Sequence, residues 1–590
     1  MTASMKQRKH DKNIKTPSVH AVEAPRRDPT PAHDSSQPWM PGAYTSFKLL
    51  LSVRLCAAVW NIVGDCDETY NYWEPMHYLL FKKGFQTWEY SPQYAIRSYA
   101  YLWIHGLPLK IIHFISGVNK IILFYLLRCI LAICCAAAEV YFYKGICKHF
   151  GTNTGRITLL FLILSAGMFV SSTAFLPSSF CMYLTFVSMG AWFQKKYSIA
   201  VLAVAASSIL GWPFASVLGI PLAIDIIARR KKIMLFVAYS LLALVIFVLP
   251  MVYIDFLYYG KLLIAPLNII LYNVFTSHGP DLYGVEPFSY YIINGFLNFN
   301  IVFFLALVSI PFAMCVQWMV GIGDSDIPRW LALSPLYIWI LIFFTRPHKE
   351  ERFLFPIYPL FALCGAVTID HLQKIWCYYF TQHKSYHYTD TTNWISVCAG
   401  ILFSLLSVSR IIAVYQGYHA PLDLYLELNK FSSDPHIHTM SPEKPVNVCV
   451  GKEWYRFPSH FFLPGDNWNL QFIKSEFKGQ LPKPYSSGND ATKIISADFN
   501  DMNKEEPSRY INKNKCHYLI DLDLPNHTVL EPNYSNQKED WKIVSSYLFI
   551  DSSRSHRLFR AFYIPFVSSR YCTYVNYNIL KTTKTKKSKH

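Results

Sequence analysis

Apolar runs approaching 20 residues recur through this chain, and a run of that length has few ways to fold. At about 1.5 Å rise per residue it crosses a bilayer core of about 30 Å as a helix, with every backbone N–H and C=O paired inside the segment. Such runs are read at Phe47–Val63, Ile121–Tyr143, Ile157–Phe175, Phe180–Phe193, Ile199–Leu210, Pro213–Ala228, Ile233–Asp255, Phe296–Met319, Trp330–Phe344, Phe353–Ile369 and Trp394–Tyr415, eleven in all. The balance of 52% hydrophobic and 16% aromatic against 16% charged residues excludes a string of soluble domains. A formal charge of +17 would suit nucleic acid, but the Lys and Arg gather in short loops, which is how topology is written.

The loops then set the orientation. Residues 1–45 are polar and basic, too poor in apolar residues for a core, and are expected to be a disordered cytosolic N-terminus without a cleavable signal. Ile96–Ser116 carries Arg97, His105, Pro108, Lys110 and His113, and reads as an amphipathic helix on the membrane surface rather than a span. With that choice Lys144, Lys148, Lys195, Lys196, Arg229 to Lys232, and Lys374 with Lys384 all fall on the side of the basic N-terminus. The other side receives a first loop at 65–116, the FLPSS, GWP and RPHKEER turns, the loop 256–295 and the C-terminus. Three parts follow: the N-terminal segment, a multi-span domain at 46–415, and a small lumenal α+β domain at 416–590 with strand-like runs at Val446–Val450 and Tyr518–Leu522. Asn526-His527-Thr528 and Asn533-Tyr534-Ser535 are glycosylation sequons that only a lumenal domain could use. Most of the 14 cysteines sit in apolar runs; Cys66, Cys449, Cys516 and Cys572 do not, which leaves room for one or two disulfides. No metal-ligand spacing occurs, and no metal cofactor is expected.

Two groups of opposite charge flank this lumenal face. The first loop places Asp65, Asp67, Glu68, Glu74 and Glu89 among Tyr72, Trp73, Trp88 and Tyr90, just ahead of Arg97; TRPHKEERFLFP supplies Arg346, His348, Lys349 and Arg352. A carboxylate at a membrane exit can take a proton from an acceptor hydroxyl, and Arg, His and Lys can hold a departing phosphate. Taken singly, an acid there simply faces water, and the basic cluster pairs with Glu350 and Glu351. His278 and Asp281, in SHGPDLYGVEPF, form a third group, structural or substrate-facing. Trp73, Trp88, Tyr90 and Trp212 are of a type that stacks on sugar rings and equally of a type that lines membrane interfaces.

DETYNYWEPMHYL (Asp67–Leu79), GFQTWEYSPQYAIRSYAY (Gly84–Tyr101), FLPSSF (Phe175–Phe180), HGPDLYG (His278–Gly284) and HKEERFLFPIYPL (His348–Leu360) resemble, in order over about 46–415, glycosyltransferase family 22, and within it the endoplasmic reticulum alpha-1,2-mannosyltransferases of lipid-linked oligosaccharide assembly. Tyr70 and Met76 stand where that family usually has Phe and Thr. The resemblance implies a C-type membrane glycosyltransferase fold and a metal-independent, inverting transfer of mannose from dolichyl phosphate mannose to a dolichyl-diphosphate-linked oligosaccharide, adding its seventh and ninth mannoses. It places the base in the Asp67–Glu68 pair, with Asp67 favoured, and substrate contacts at Trp73, Glu74, Tyr90, Arg97, His278, Asp281, Arg346, His348, Lys349 and Arg352. The HKEERF segment binds the donor phosphate or orders the site. The implied partners are the two dolichyl-linked lipids and the membrane, with no nucleic acid, and the implied location is the endoplasmic reticulum membrane. The readings set against it are a sister transferase of the glycosylphosphatidylinositol-anchor or alpha-1,6 type, and a lipid or sugar transporter. A transporter calls for mid-membrane ionisable residues and an internal repeat.

Overall fold

The computed structural model describes residues 38–276, 280–321, 325–380, 387–438 and 443–583. The expected disordered N-terminus lies, up to residue 37, outside the described residues, as do His278 and Lys384. Among the described residues, five helices are long and apolar enough to cross a membrane unaided: Lys120–His149, Ile233–Tyr259, Ser289–Val320, Glu351–Phe380 and Tyr388–Tyr418. The other expected spans are also helical, but shorter or broken: Ala43–Trp60, Pro177–Phe193 and Arg329–Phe343 are single helices, whereas extended backbone at Ser165 divides Thr152–Leu164 from Ala166–Ser171. Together they form the polytopic helical membrane fold the sequence implies, followed by a terminal domain built on a sheet.

One pair of opposite charges inside the bundle joins two helices. Arg54 is buried and donates through Nε and Nη2 to Glu139 at 3.1 and 2.8 Å, which ties the first helix to Lys120–His149. A lone guanidinium there would be costly in lipid; opposite a carboxylate it becomes a clamp between helices. The Tyr99–Ser116 helix is buried along Tyr99, Leu102, His105 and Leu109, while Ile104, Leu107, Ile111, Phe114 and Ile115 are exposed. Its outer face is therefore largely apolar, with Lys110 exposed among these side chains.

Beyond the helix Ala420–Ser432 the chain builds a five-stranded mixed sheet. Val446–Val450 pairs in parallel with Trp468–Phe472 on one side and Tyr518–Leu522 on the other; Tyr574–Thr582 then runs antiparallel to Tyr518–Leu522 and to Trp541–Ile550. Cys449 and Cys516 form a disulfide across its centre, while Cys66 and Cys572 are free.

This domain interlocks with the first loop. Phe85–Gln86 pairs antiparallel with Lys483–Pro484, Tyr78 stacks on Tyr485 at 3.9 Å, and Thr69 Oγ1 and Tyr70 Oη donate to the carbonyls of Phe457 and Trp454 at 3.0 and 2.7 Å. Glu74, fully buried, accepts from the backbone N–H groups of Phe85 and His460 at 2.9 and 2.7 Å and lies 2.6 Å from His460 Nδ1. The turn that makes this possible needs Gly84, since a Cβ there would fall 2.4 Å from the Glu74 carbonyl oxygen.

Candidate active site

Asp65 caps the short helix Cys66–Glu68, its carboxylate accepting from the Asp67 N–H at 2.9 Å. A π-helical turn, Thr69–Trp73, follows at once, and Pro75 starts the helix Glu74–Phe81. This geometry sends Asp67 and Glu68 to different surroundings. Glu68 is buried and held by the Trp73 indole N–H at 3.0 Å and the Phe175 N–H, from the FLPSSF segment, at 2.9 Å. Burial outweighs these bonds and pushes its carboxyl pKa up. Asp67 is 30% exposed and meets Arg352.

Arg352 is the hub. Its Nη1 donates to both carboxylate oxygens of Asp65 at 3.0 Å, and its Nη2 lies 2.6 Å from Asp67 Oδ2 and against Glu350. It stands at the start of the 3-10 turn Glu351–Ile357, which is pinned to the transmembrane helices. Asn298 holds Glu351 at 2.8 Å, the Trp339 indole donates to the Phe353 carbonyl at 3.1 Å, and Trp212 stacks on Phe353. Arg97 joins from the first loop: it grips both Glu89 oxygens at 2.7 and 3.2 Å and donates to the Tyr72 hydroxyl at 2.6 Å.

The electrostatics of the two aspartates diverge. Burial disfavours the charge on Asp67, but Arg352 and Arg97 outweigh it and hold its pKa below the usual carboxylate value. Burial, together with Asp67 and Glu350, outweighs Arg352 at Asp65 and pushes its pKa up to about 7. His348 is raised despite burial, because Glu350 and the Gly284 carbonyl accept from its ring. The cluster thus offers one aspartate held charged beside one close to half-protonated at neutral pH.

Asp67, Arg97, His348 and Arg352 gather around this cluster; the other residues singled out in the sequence lie elsewhere. Trp73 is sealed among Phe124, Phe175 and Phe461, and Glu74 serves the joint with the terminal domain. Tyr90 is buried, its hydroxyl donating to the Asn71 carbonyl at 2.9 Å, and it helps line a slot of about 40 Å³ with Tyr72, Arg97, Tyr101 and Trp212. Lys349 is buried and spent on the backbone carbonyls of Glu286, at 2.8 Å, and Arg346, so it fastens the 284–286 turn to HKEER. Asp281 and Arg346 are exposed at the rim. Asn526 is exposed, while Asn533 accepts from Ser535 Oγ at 2.7 Å and caps a short turn. Asp65 and Glu350 carry more of the site than the motifs indicate. Asp65 stands just ahead of the DETYNYW motif, and Glu350 reads as a mere internal partner of its own cluster.

The carboxylates of Asp65 and Asp67 with the Cys66 thiol lie within 4.8 Å of one another, close enough to hold a metal ion, but the Arg352 guanidinium already bridges both acids.

Comparison with known proteins identifies the setting of this cluster. Proteins named alpha-1,2-mannosyltransferase ALG9 from mouse and human are each 55% identical to the chain, over 95% and 96% of its length and 92% and 94% of theirs. Among solved structures, ArnT of Cupriavidus metallidurans in the apo state aligns with a TM-score of 0.49 at 12% identity, over 85% of this chain and 97% of that one. The model of the Alg9-like mannosyltransferase family matches residues 45–464, a range that holds the acids, the HKEER turn and His460, and the chain belongs to that family.

Proposed function

We propose that this enzyme transfers mannose from dolichyl phosphate mannose to a dolichyl-diphosphate-linked oligosaccharide, forming alpha-1,2 linkages at the seventh and ninth mannoses of the N-glycan precursor. The reaction takes place in the endoplasmic reticulum membrane, on its lumenal face. The acceptor hydroxyl attacks C1 of the donor mannose from the side opposite the phosphate and gives its proton to Asp67. The C1–O bond to phosphate breaks with inversion, and dolichyl phosphate leaves. No metal takes part.

One observation carries the choice of base. Asp67 faces a polar, partly open cluster, while both polar contacts of Glu68 are internal, to Trp73 and Phe175. Arg352 keeps Asp67 charged and aimed, which is the ordering role open to the HKEERF segment. His348, biased towards its cationic form, and the exposed Arg346 are then the cations nearest the rim for the donor phosphate. The Cys449–Cys516 disulfide supports an oxidising, lumenal compartment for the terminal domain, and so for the first loop locked to it.

The test is a transfer assay on purified protein with dolichyl phosphate mannose and a lipid-linked acceptor lacking its seventh mannose. Asp67→Asn is expected to lose about 10²- to 10⁴-fold in kcat, the usual worth of a general base, while keeping its thermal unfolding midpoint. Glu68→Gln is expected to lower that midpoint. Normal turnover by Asp67→Asn would remove Asp67 as the base, and transfer to a glycosylphosphatidylinositol precursor instead would favour the sister enzyme.

A further inference from the structure

The last two strands of the terminal sheet end their antiparallel register at Ile550 and Tyr574, and the chain between them does not turn back at once. It descends onto the transmembrane helices. Tyr563 N–H donates to the Ser409 carbonyl at 3.1 Å, Ser409 Oγ donates to the Tyr563 carbonyl at 2.8 Å, and Arg410 donates to the Ala561 carbonyl at 3.2 Å. Phe562 is buried against Phe296, which in turn meets the lipid-facing Phe304. Ser409 lies about two and a half turns, roughly 13 Å, inside the Tyr418 end of its helix, and Phe296 about two turns inside the Ser289 end of its own. A helix of 31 residues outruns a 30 Å core by several ångströms at each end. The root of this connection therefore sits at the edge of the hydrocarbon, where the apolar, exposed Leu405 and Val408 continue the same surface.

What projects from that root has the composition of an interface. Leu558, Ile564, Phe566 and Tyr571 are exposed, Phe566 by 87% at a left-handed φ of 65° that a bulky side chain adopts only under strain. Between Ser552 and Cys572 there are four arginines and no acid. Arg554 is paired with Asp551, and Arg560 reaches the Ser552 carbonyl. Arg557 and Arg570 are exposed and have no ion pair among the described residues. In water such a patch is a liability; at a headgroup layer the aromatic and aliphatic tips bury while the guanidinium groups meet phosphate.

We propose that residues 552–572 are a finger seated in the lumenal leaflet, with Leu558, Ile564 and Phe566 among the lipid chains and Arg557 and Arg570 on anionic phospholipid headgroups. It anchors the terminal domain to the membrane beside Tyr388–Tyr418, independently of the first loop. The depth of the root and its continuity with lipid-facing side chains favour lipid over a protein partner.

The test places a photo-crosslinking benzoylphenylalanine at Phe566 and, as control, at Val529, which is 97% exposed in the sequon loop. Each full-length variant is reconstituted in nanodiscs of phosphatidylcholine with phosphatidylinositol, and also irradiated in native microsomes. Phospholipid adducts at 566 and none at 529 are expected. The inositol lipid should be over-represented among the adducts, and that excess should fall roughly two- to fivefold in Arg557→Gln/Arg570→Gln. Equal adducts at the two positions would overturn the seating. A protein adduct in place of lipid at 566 in microsomes would replace the membrane with a partner chain. An inositol share equal to its mole fraction would overturn the role given to the arginines.

Discussion

Asp65 and Asp67 sit on one turn of chain, yet their carboxyls are driven apart because burial, with Asp67 and Glu350, prevails at Asp65, while Arg352 and Arg97 together outweigh burial at Asp67. Asp65 has its folded pKa raised to about 7 from the ordinary 3.8 of an aspartate, so between those values the folded state holds a proton the unfolded chain has lost. Its contribution to stability is therefore full in acid and is lost as pH rises through about 7, the opposite of Asp67, whose depressed pKa favours folding at neutral pH and fails only in acid. If Asp67 is the base proposed above, an inflection of kcat/KM near neutrality is expected to belong to Asp65 and not to Asp67. It should vanish in Asp65→Asn; a pH–rate profile that keeps it would assign it elsewhere, His348 first. Little of this was legible beforehand. Neighbouring acids on a helix diverge by about 100°, so the sequence names the Asp67–Glu68 pair without saying which one Arg352, from 285 positions onward, will reach.

Among the elements, the helices were the legible part, since hydrophobic length alone decides them. The expected spans are helical over most of their length; extended backbone at Ser165 and the non-helical backbone of Asn300 break two of them, while the Gly211-Trp212-Pro213 turn separates two others. The joint between the first loop and the terminal domain was not legible, because it depends on single polar side chains meeting across hundreds of residues. Glu74 read as one more acid of a reactive stretch, and it is the fastening. Glu74→Ala would strand the Phe85 and His460 N–H groups in a dry interface, at about 1–3 kcal/mol for each unsatisfied donor. A drop in thermal midpoint and new protease cleavage between 440 and 490 are expected. Unchanged stability with lost transfer would instead return Glu74 to the chemistry.

At the scale of the whole molecule, the proposed orientation rests on basic loops and is testable through carbohydrate. Asn526 lies in an exposed loop, so digestion with an endoglycosidase should shift the wild type but not Asn526→Gln, apart from any share carried by Asn533. A tail that is unglycosylated and cleaved by protease added outside sealed microsomes would invert the topology. The interlocking of first loop and terminal domain also imposes an order on biogenesis. Thr69 and Tyr70 find their partners 388 and 384 residues further along the chain. At about 5–20 residues per second the ribosome needs roughly 20 to 80 seconds to supply them. Throughout that interval the turn bearing Asp67 is without the surface it closes on and, in the proposed orientation, is open to lumenal chaperones and to the carbohydrate-adding machinery its own product feeds. Competence thus arrives late and all at once, and a nascent chain released early is inert rather than partly active.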